Sequence, residues 1–363
     1  MPDLKNLPFP KVIEELSYDE ILSGNEKIFK EYLGDDEISL LESDNYKALL
    51  ETLSYRETIL RARINSAVRA MLLPFSTGSD LDNVVAIYGT RRLKGAKPYA
   101  KVEFSLTMKK DSDTIIPKGV ILSSVNGKIA ILKDSVTIKT GELKAAGITE
   151  LSENTKTSKE KCELIQTPLP FLTRAKQISD FSGGSDEESD EALRKRAVLS
   201  LERFSTAGAR KAYIYHTLSA SAKVKEVNVI NGGPGVVEIY IKSTDESEET
   251  LKEIKEYLSA ENRRPLTDNI KVFNAVKIPV TIKAEIELTD LSFMNDLDKR
   301  IKNARADLGL GEDLNISYIY DRCHENDLGV YRVNLKNPLK DIKIAENEYV
   351  LLKWELSYKA ANL

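Results

Sequence analysis

The apolar residues of this chain change period near residue 100, and that change limits the fold more than any single motif. Over residues 47–73, Leu49, Leu53, Leu60, Ile64, Ala67 and Met71 recur at helical spacing, and Leu50, Ile59, Val68 and Leu72 widen the stripe. Asp44 stands where an N-cap belongs, and Pro74 ends the helix because the residue before a proline is pushed out of the α region. Over residues 100–178 the period is two. Val102, Phe104 and Leu106 alternate, as do Val136 and Ile138, between turn signals at Pro117-Lys118-Gly119, Asn126-Gly127 and Thr140-Gly141. The pattern predicts a helical region followed by a small all-β domain, a sandwich or barrel. The long helix has a broader apolar face than a short helix over residues 16–32 can cover, so the remainder is available to another chain.

At 363 residues, 41% hydrophobic and 30% charged, the chain is expected to form several soluble domains. After the β segment, residues 224–230 and 236–242 form a hairpin around Asn231-Gly232-Gly233-Pro234-Gly235. A helix over residues 248–260 follows, with Leu251, Ile254 and Leu258 as its stripe, and then a strand over 270–273. The ending reads as a second unit of the same class. It has a strand over 276–288, a helix over 293–308 carrying Leu297, Ile301, Ala304 and Leu308, a short helix over 316–324, and strands over 330–335 and 349–358. The expected class is multidomain α+β. It comprises a helical region at 1–98, a β domain at 99–180, a helical connector plus a first ferredoxin-like domain at 181–274, and a second such domain at 275–363.

The connector opens at Gly183-Gly184, a pair suited to a turn with positive φ. Ser185 and Glu188 have capping-box spacing. Asp186, Glu187, Glu188, Asp190 and Glu191 then fall at the start of a predicted helix, where the helix dipole favours them. Leu193, Ala197 and Leu201 share its apolar face, while Arg194, Lys195, Arg196, Glu202 and Arg203 take other faces. Asp186, Asp190 and Arg194 are expected on one face, in ion pairs. Ser205 and Thr206 stop this helix and cap the next, in which Ala209, Ala212, Tyr213 and His216 form a stripe. The earlier basic group Arg91, Arg92, Lys94 and Lys97 reads as a solvated linker, or else as a docking patch for an acidic partner.

Little in the chain points to catalysis. A net charge of -4 argues against nucleic acid as the main partner. Cys162 and Cys323 give no disulfide framework and are expected as free thiols. The N-terminus has no signal-peptide pattern, and the most apolar run, at residues 71–75, is far too short to span a membrane, so cytoplasmic synthesis and no membrane insertion are expected. The glycine-rich turn at 232–235 lacks a Lys-Ser/Thr ending and precedes a strand, so it is no phosphate loop. His324 adjoins Cys323 without a second ligand pair, His216 has no cysteine nearby, and the lone Trp354 reads as core. No metal, cofactor or catalytic residue is assigned, and the chain is read as a non-enzyme. The alternative is a carboxylate-dependent polysaccharide hydrolase using the acidic side chains of residues 186–191.

The run from Gly183 through Gly184, Ser185, Asp186, Glu188, Asp190 and Leu193 to Arg194 and Arg196 resembles the GG-x-D-x-ESDE-x-LR-x-R signature of the baseplate J-like proteins. These are baseplate wedge proteins of contractile phage tails and related injection machines. Gly208 and Tyr213 stand where that family has a glycine and a tyrosine in its next helix, and Val224 and Val227 where it has a strand. Ile64-Asn65, Thr77-Gly78-Ser79-Asp80-Leu81-Asp82, Gly89, Arg92, Pro117-Lys118-Gly119, Gly329-Val330, Val333, Pro338 and Asp341-Ile342 also match in order. The resemblance implies a wedge subunit that joins a second copy of itself, a smaller tail protein of the I-like kind, and other wedge and hub subunits. It implies a place in the tail baseplate of a phage, prophage or tailocin-like device. The residues then expected at the assembly interface are Leu53, Leu60, Ile64, Ala67 and Met71. Those expected in the connector and its caps are Gly184, Ser185, Asp186, Glu188, Asp190, Arg194, Gly208 and Tyr213.

Overall fold

The computed structural model describes residues 7–9, 14–34, 38–41, 43–204, 210–260, 263–265, 267–303, 308–324 and 329–361. The protein is α+β and divides into two compact units, Met1–Arg92 with Ser189–Val198, and Leu93–Glu188 with Leu199–Leu363.

The first unit is helical. Helix α1 (Tyr18–Leu33) starts at a capping box in which the Ser17 Oγ accepts from the Glu20 N–H and the Glu20 carboxylate accepts from the Ser17 N–H. Helix α2 (Asn45–Met71) starts at Asp44, whose carboxylate accepts from the Tyr46 N–H at 3.0 Å. It stops three residues before Pro74, as the proline requires. Helix α3 (Gly78–Ala86) begins at the glycine after Thr77, and Gly89, at φ +65°, follows it.

In the second unit, strands β1 (Tyr99–Leu106), β2 (Thr114–Ile116), β3 (Ile121–Ser123), β4 (Ile129–Leu132), β5 (Val136–Ile138), β6 (Lys144–Leu151), β7 (Leu164–Ile165) and β8 (Leu172–Gln177) form the β domain. Six of them make an antiparallel sheet in the order β7-β3-β4-β6-β1-β8, and β2 pairs with β5 as a separate ribbon. Val102 and Phe104 of the sheet share one buried cluster with Ile116 and Ile138 of the ribbon, so alternation on both layers fills a common core.

Helix α4 (Asp190–Leu199) runs into a 3-10 turn at Ser200–Phe204. Helix α5 (Arg210–Ala220), β9 (Val224–Asn231), β10 (Val236–Ser243), α6 (Glu248–Leu258) and β11 (Asn269–Asn274) then follow in the expected α-β-β-α-β order. The sheet order is β11-β10-β9, with β10 antiparallel to β9 and parallel to β11. The last module contains β12 (Val276–Leu288), α7 (Met294–Asn303), α8 (Ile316–His324), β13 (Val330–Asn337) and β14 (Glu348–Ala360). Its sheet order is β13-β12-β14. One expectation is corrected. Each sheet has three strands among the described residues, not the four of a ferredoxin-like unit. The second module runs β-α-α-β-β, the order expected for residues 276–358.

Asp245 ties the β domain to the middle module. It is 5% exposed and accepts from Lys223 Nζ at 2.7 Å, Thr250 Oγ1 at 2.8 Å, the Ser247 N–H at 3.1 Å and the Tyr99 hydroxyl at 3.2 Å. Burial alone would raise its pKa, but the Lys223 ammonium and the other donors more than offset this and hold the carboxyl at about 2, against an ordinary 3.8. The unfolded chain therefore binds this proton at higher pH than the folded one. The stabilisation is complete above pH 3.8 and is lost as pH falls through about 2. Asp245→Ala is expected to cost about 3–5 kcal/mol in chemical denaturation, because the Lys223 ammonium is left unpaired. Asp245→Asn is expected to flatten the fall of the melting temperature between pH 4 and pH 2.

Candidate assembly site

Helix α2 buries Leu50, Ser54 and Asn65. Helix α1 lies antiparallel to its first half. Asn25 Nδ2 donates to Ser54 Oγ at 3.0 Å, Lys47 pairs with Glu26, and the Phe29 and Tyr46 rings meet with centroids 5.5 Å apart. The stripe predicted from sequence stays largely exposed beside this contact. Leu53, Leu60 and Met71 are 51%, 57% and 76% exposed, and Ile64 and Ala67 are also exposed. Between the helices runs an open groove of about 810 Å³, lined by Ile28, Tyr32, Leu53, Leu60 and Ile64, with Arg56 and Arg61 beside them. A soluble helix normally turns such a stripe inward. Here much of the stripe stays exposed among the described residues of the chain.

Within the signature at residues 183–196, the capping differs from the one expected. Gly184 has no room for a side chain, because a Cβ there would come within 2.1 Å of the Thr155 carbonyl oxygen and 2.7 Å of the Pro98 nitrogen. Ser185 is fully buried. Its N–H donates to the Ala96 carbonyl at 2.9 Å, and its Oγ accepts from the Ala96 N–H at 3.0 Å. The Glu188 N–H donates to the Leu93 carbonyl at 3.1 Å, and its carboxylate accepts from the Leu93 N–H at 3.0 Å. Asp186 accepts from the Lys156 N–H at 3.2 Å. The expected capping box at Ser185 and Glu188 is therefore corrected. Both side chains are committed to a neighbouring backbone segment, and the helix waits until Ser189, whose Oγ accepts from the Ala192 N–H at 3.3 Å.

Asp190 and Arg194 bind the helices of the first unit. The Asp190 carboxylate accepts from the Gly78 N–H at 3.0 Å and from Arg92 Nη2 at 2.7 Å. It thus sits at the start of both α3 and α4, where each helix dipole is positive. Arg92 Nε also donates to Asp82 Oδ1 at 2.8 Å. The Gly78 N–H, followed by the Arg92 guanidinium, holds the Asp190 carboxyl below the usual range against the effect of burial. Burial opposes the charge on Arg92, but its bonds to Asp190 and Asp82 outweigh that and raise its pKa. Arg194 donates to the carbonyls of Leu73 at 2.8 Å and Ser76 at 2.9 Å, and Arg196, 4% exposed, donates to that of Arg91 at 2.6 Å. Beneath them Leu81, Val85, Leu193 and Ala197 form a small core.

Three sequence expectations change as a result. Asp186, Asp190 and Arg194 do not share a helix face, and the pair observed on α4 is Glu191 with Lys195 at 3.2 Å. Arg92 is an enclosed ion-pair partner, not part of a solvated linker, because Asp82 and Asp190 converge on it. Arg196 points inward. The sequence named Arg92 and Arg196 without their partners, although the LR-x-R spacing of the signature marked Arg194 and Arg196 together. Tyr213 is 2% exposed and donates to Asp268 Oδ2 at 2.6 Å; burial, then that carboxylate, pushes its pKa up. Ala212 and His216 are buried beside it on α5. Gly208, Ser205, Thr206 and Ala209 lie outside the described residues. Cys162 and Cys323 are buried and unbridged, and His324 is exposed. Among the described residues, no group of three or more His, Cys, Asp or Glu side chains is placed to hold a metal ion, and no helix is long and apolar enough to cross a membrane.

Comparison with known proteins adds to this geometry. Residues 42–95 match the family model of the baseplate J-like N-terminal domain, and residues 205–274 that of the baseplate J-like central domain. Baseplate protein J of Escherichia phage P2 is 27% identical over 358 residues, which cover 94% of this chain and 91% of that protein. A chain in a cryo-EM structure of the anti-feeding prophage (AFP) baseplate, 6-fold symmetrised, aligns over 96% of both chains at 11% identity and a TM-score of 0.43, too low to bear on fold or function.

Arg92→Ala is expected to cost about 1.5–3 kcal/mol, the range for a hydrogen bond to a charged group. Faster amide exchange in α3 and α4, with exchange in the β domain unchanged, is the expected readout.

Proposed function

Because the chain belongs to the baseplate J-like family, we propose that it is a structural subunit of a contractile-tail baseplate, acting as a wedge component. In this reading residues 1–98 are the assembly region. The β domain at 99–180 and the modules at 181–274 and 275–363 are the bodies that the assembly region carries. The subunit would join a second copy of itself and a smaller I-like tail protein, and then other wedge and hub subunits in the ring around the hub. Its place would be the tail baseplate of a phage, prophage or tailocin-like device.

One observation carries this reading: the apolar stripe of α2, with Leu53, Leu60, Ile64, Ala67 and Met71, is left exposed inside the segment that matches the family's N-terminal domain. Exposed apolar area of this extent on a 27-residue helix favours burial by a partner. The alternative of a polysaccharide hydrolase needs two carboxylates aimed at a substrate. Asp186, Glu188 and Asp190 instead accept from the main chain of residues 156, 93 and 78, which supports a connector role for them.

Leu60→Asp or Ile64→Asp is expected to block incorporation into tails while the β domain and the C-terminal modules keep their circular dichroism and melting behaviour. Tails completed at normal yield by either variant would mean that this face is not an assembly surface.

A further inference from the structure

The last sheet stops at β14, and most of that strand has only one neighbour. Even-numbered residues of β14 turn their main-chain groups away from β12. The carbonyls of Glu348 and Val350 accept from the Gly311 N–H at 2.8 Å and the Leu308 N–H at 3.0 Å, whereas odd-numbered Asn347 and Ala361 bond toward β12 and its ends. Beyond Val350, among the described residues, nothing bonds to the outward main-chain groups of Leu352, Trp354, Leu356, Tyr358 and Ala360. This leaves an open edge of roughly 25–30 Å at about 3.3 Å per residue. On the core side of that edge Trp354, Leu356 and Tyr358 are only half-buried.

The other face of the sheet carries charges that alternate from strand to strand. In one row Arg332, Glu287 and Lys359 stand opposite one another on β13, β12 and β14, and Lys359 bonds to Glu287 at 3.1 Å. Two rows along, past the row of Asn334, Glu285 and Ser357, Lys283 faces Glu355 and pairs with it at 3.4 Å. Each row ends at the open edge, one on a lysine and the other on a glutamate.

We propose that this edge pairs antiparallel with the same edge of a second copy, about a two-fold axis at Ser357. The inference rests on the self-association proposed above, for which it supplies a surface separate from α2. With the axis at Ser357, Lys359 lies opposite Glu355 of the second copy and Glu355 opposite its Lys359. Both charge rows then continue with unbroken alternation. Leu356 faces Tyr358 of the second copy, and each such even-numbered pair exchanges two main-chain hydrogen bonds. Registers shifted toward Val350 are worse. An axis at Leu356 sets Lys353 against Lys359, and one at Glu355 sets that glutamate against itself. An axis at Trp354 runs into Val350, whose carbonyl is already held by Leu308. The contact is smaller than the ~1,600 Å² of a standard interface, so it works beside a second contact between the same copies.

Cysteine cross-linking of the full chain tests the register. Ser357 faces its own copy in a non-hydrogen-bonded pair, with Cα atoms about 4.5 Å apart, within the range for a disulfide. Both native cysteines are buried, so their background is low. Under mild oxidation Ser357→Cys is expected to form disulfide-linked dimers at least tenfold faster than Glu355→Cys or Lys353→Cys. Adding Leu356→Pro, which removes an outward N–H and spares the pairing with β12, is expected to abolish the dimer. No dimer from Ser357→Cys, or equal rates at all three positions, would overturn the proposal, whether or not the proline variant folds. If cross-linking fails while Leu60→Asp still blocks tail assembly, the edge pairing is wrong and the wedge reading stands.

Discussion

A single carboxylate, that of Asp190, organises the helical unit. It lies at the first residue of α4 and accepts from the first residue of α3, and Arg92 closes the contact from the side. Each helix start carries unsatisfied N–H groups and positive potential, so one anion between them serves both. The remaining bonds follow from this placement. Arg194 reaches the Leu73 and Ser76 carbonyls between α2 and α3, Arg196 reaches Arg91, and the small core of Leu81, Val85, Leu193 and Ala197 closes underneath.

The same logic extends through the rest of the signature. Gly184 supplies space, Ser185 and Glu188 satisfy an adjacent backbone segment, and Asp186 fixes the main chain at Lys156. A run of acidic and basic residues that looks chemically rich is thus occupied with main-chain hydrogen bonds. Carboxylates spent in this way are poorly placed to act as an acid and a nucleophile, which need free lone pairs facing a common substrate.

Elements whose signals are local were legible in the sequence. Helix α2 and its Asp44 cap, the β9-β10 hairpin, α6 and the alternating strands of the β domain all follow from spacing and turn residues. What escaped depends on distant partners. Ser185 looked like a cap because its actual partner, Ala96, lies 89 residues away. Arg92 looked solvated because Asp82 and Asp190 meet it only in three dimensions. Strand order in the last module was also hidden: β12 is central and takes β14 as a parallel neighbour, a pairing that periodicity along one strand does not encode. The candidate assembly stripe was visible as a stripe, but periodicity alone does not say whether such a face turns toward core or solvent.

The account therefore rests on surfaces and not on a catalytic cleft: a largely exposed apolar face on α2 and a signature whose side chains are held by main-chain hydrogen bonds. The most direct measurement is a high-resolution cryo-EM reconstruction of the intact tail with this chain traced. The account predicts that Leu53, Leu60, Ile64 and Met71 are buried against other subunits, while the carboxylates of Asp186, Glu188 and Asp190 keep their main-chain partners. An α2 face left in solvent within the assembled baseplate, or a ligand held by those carboxylates, would contradict it.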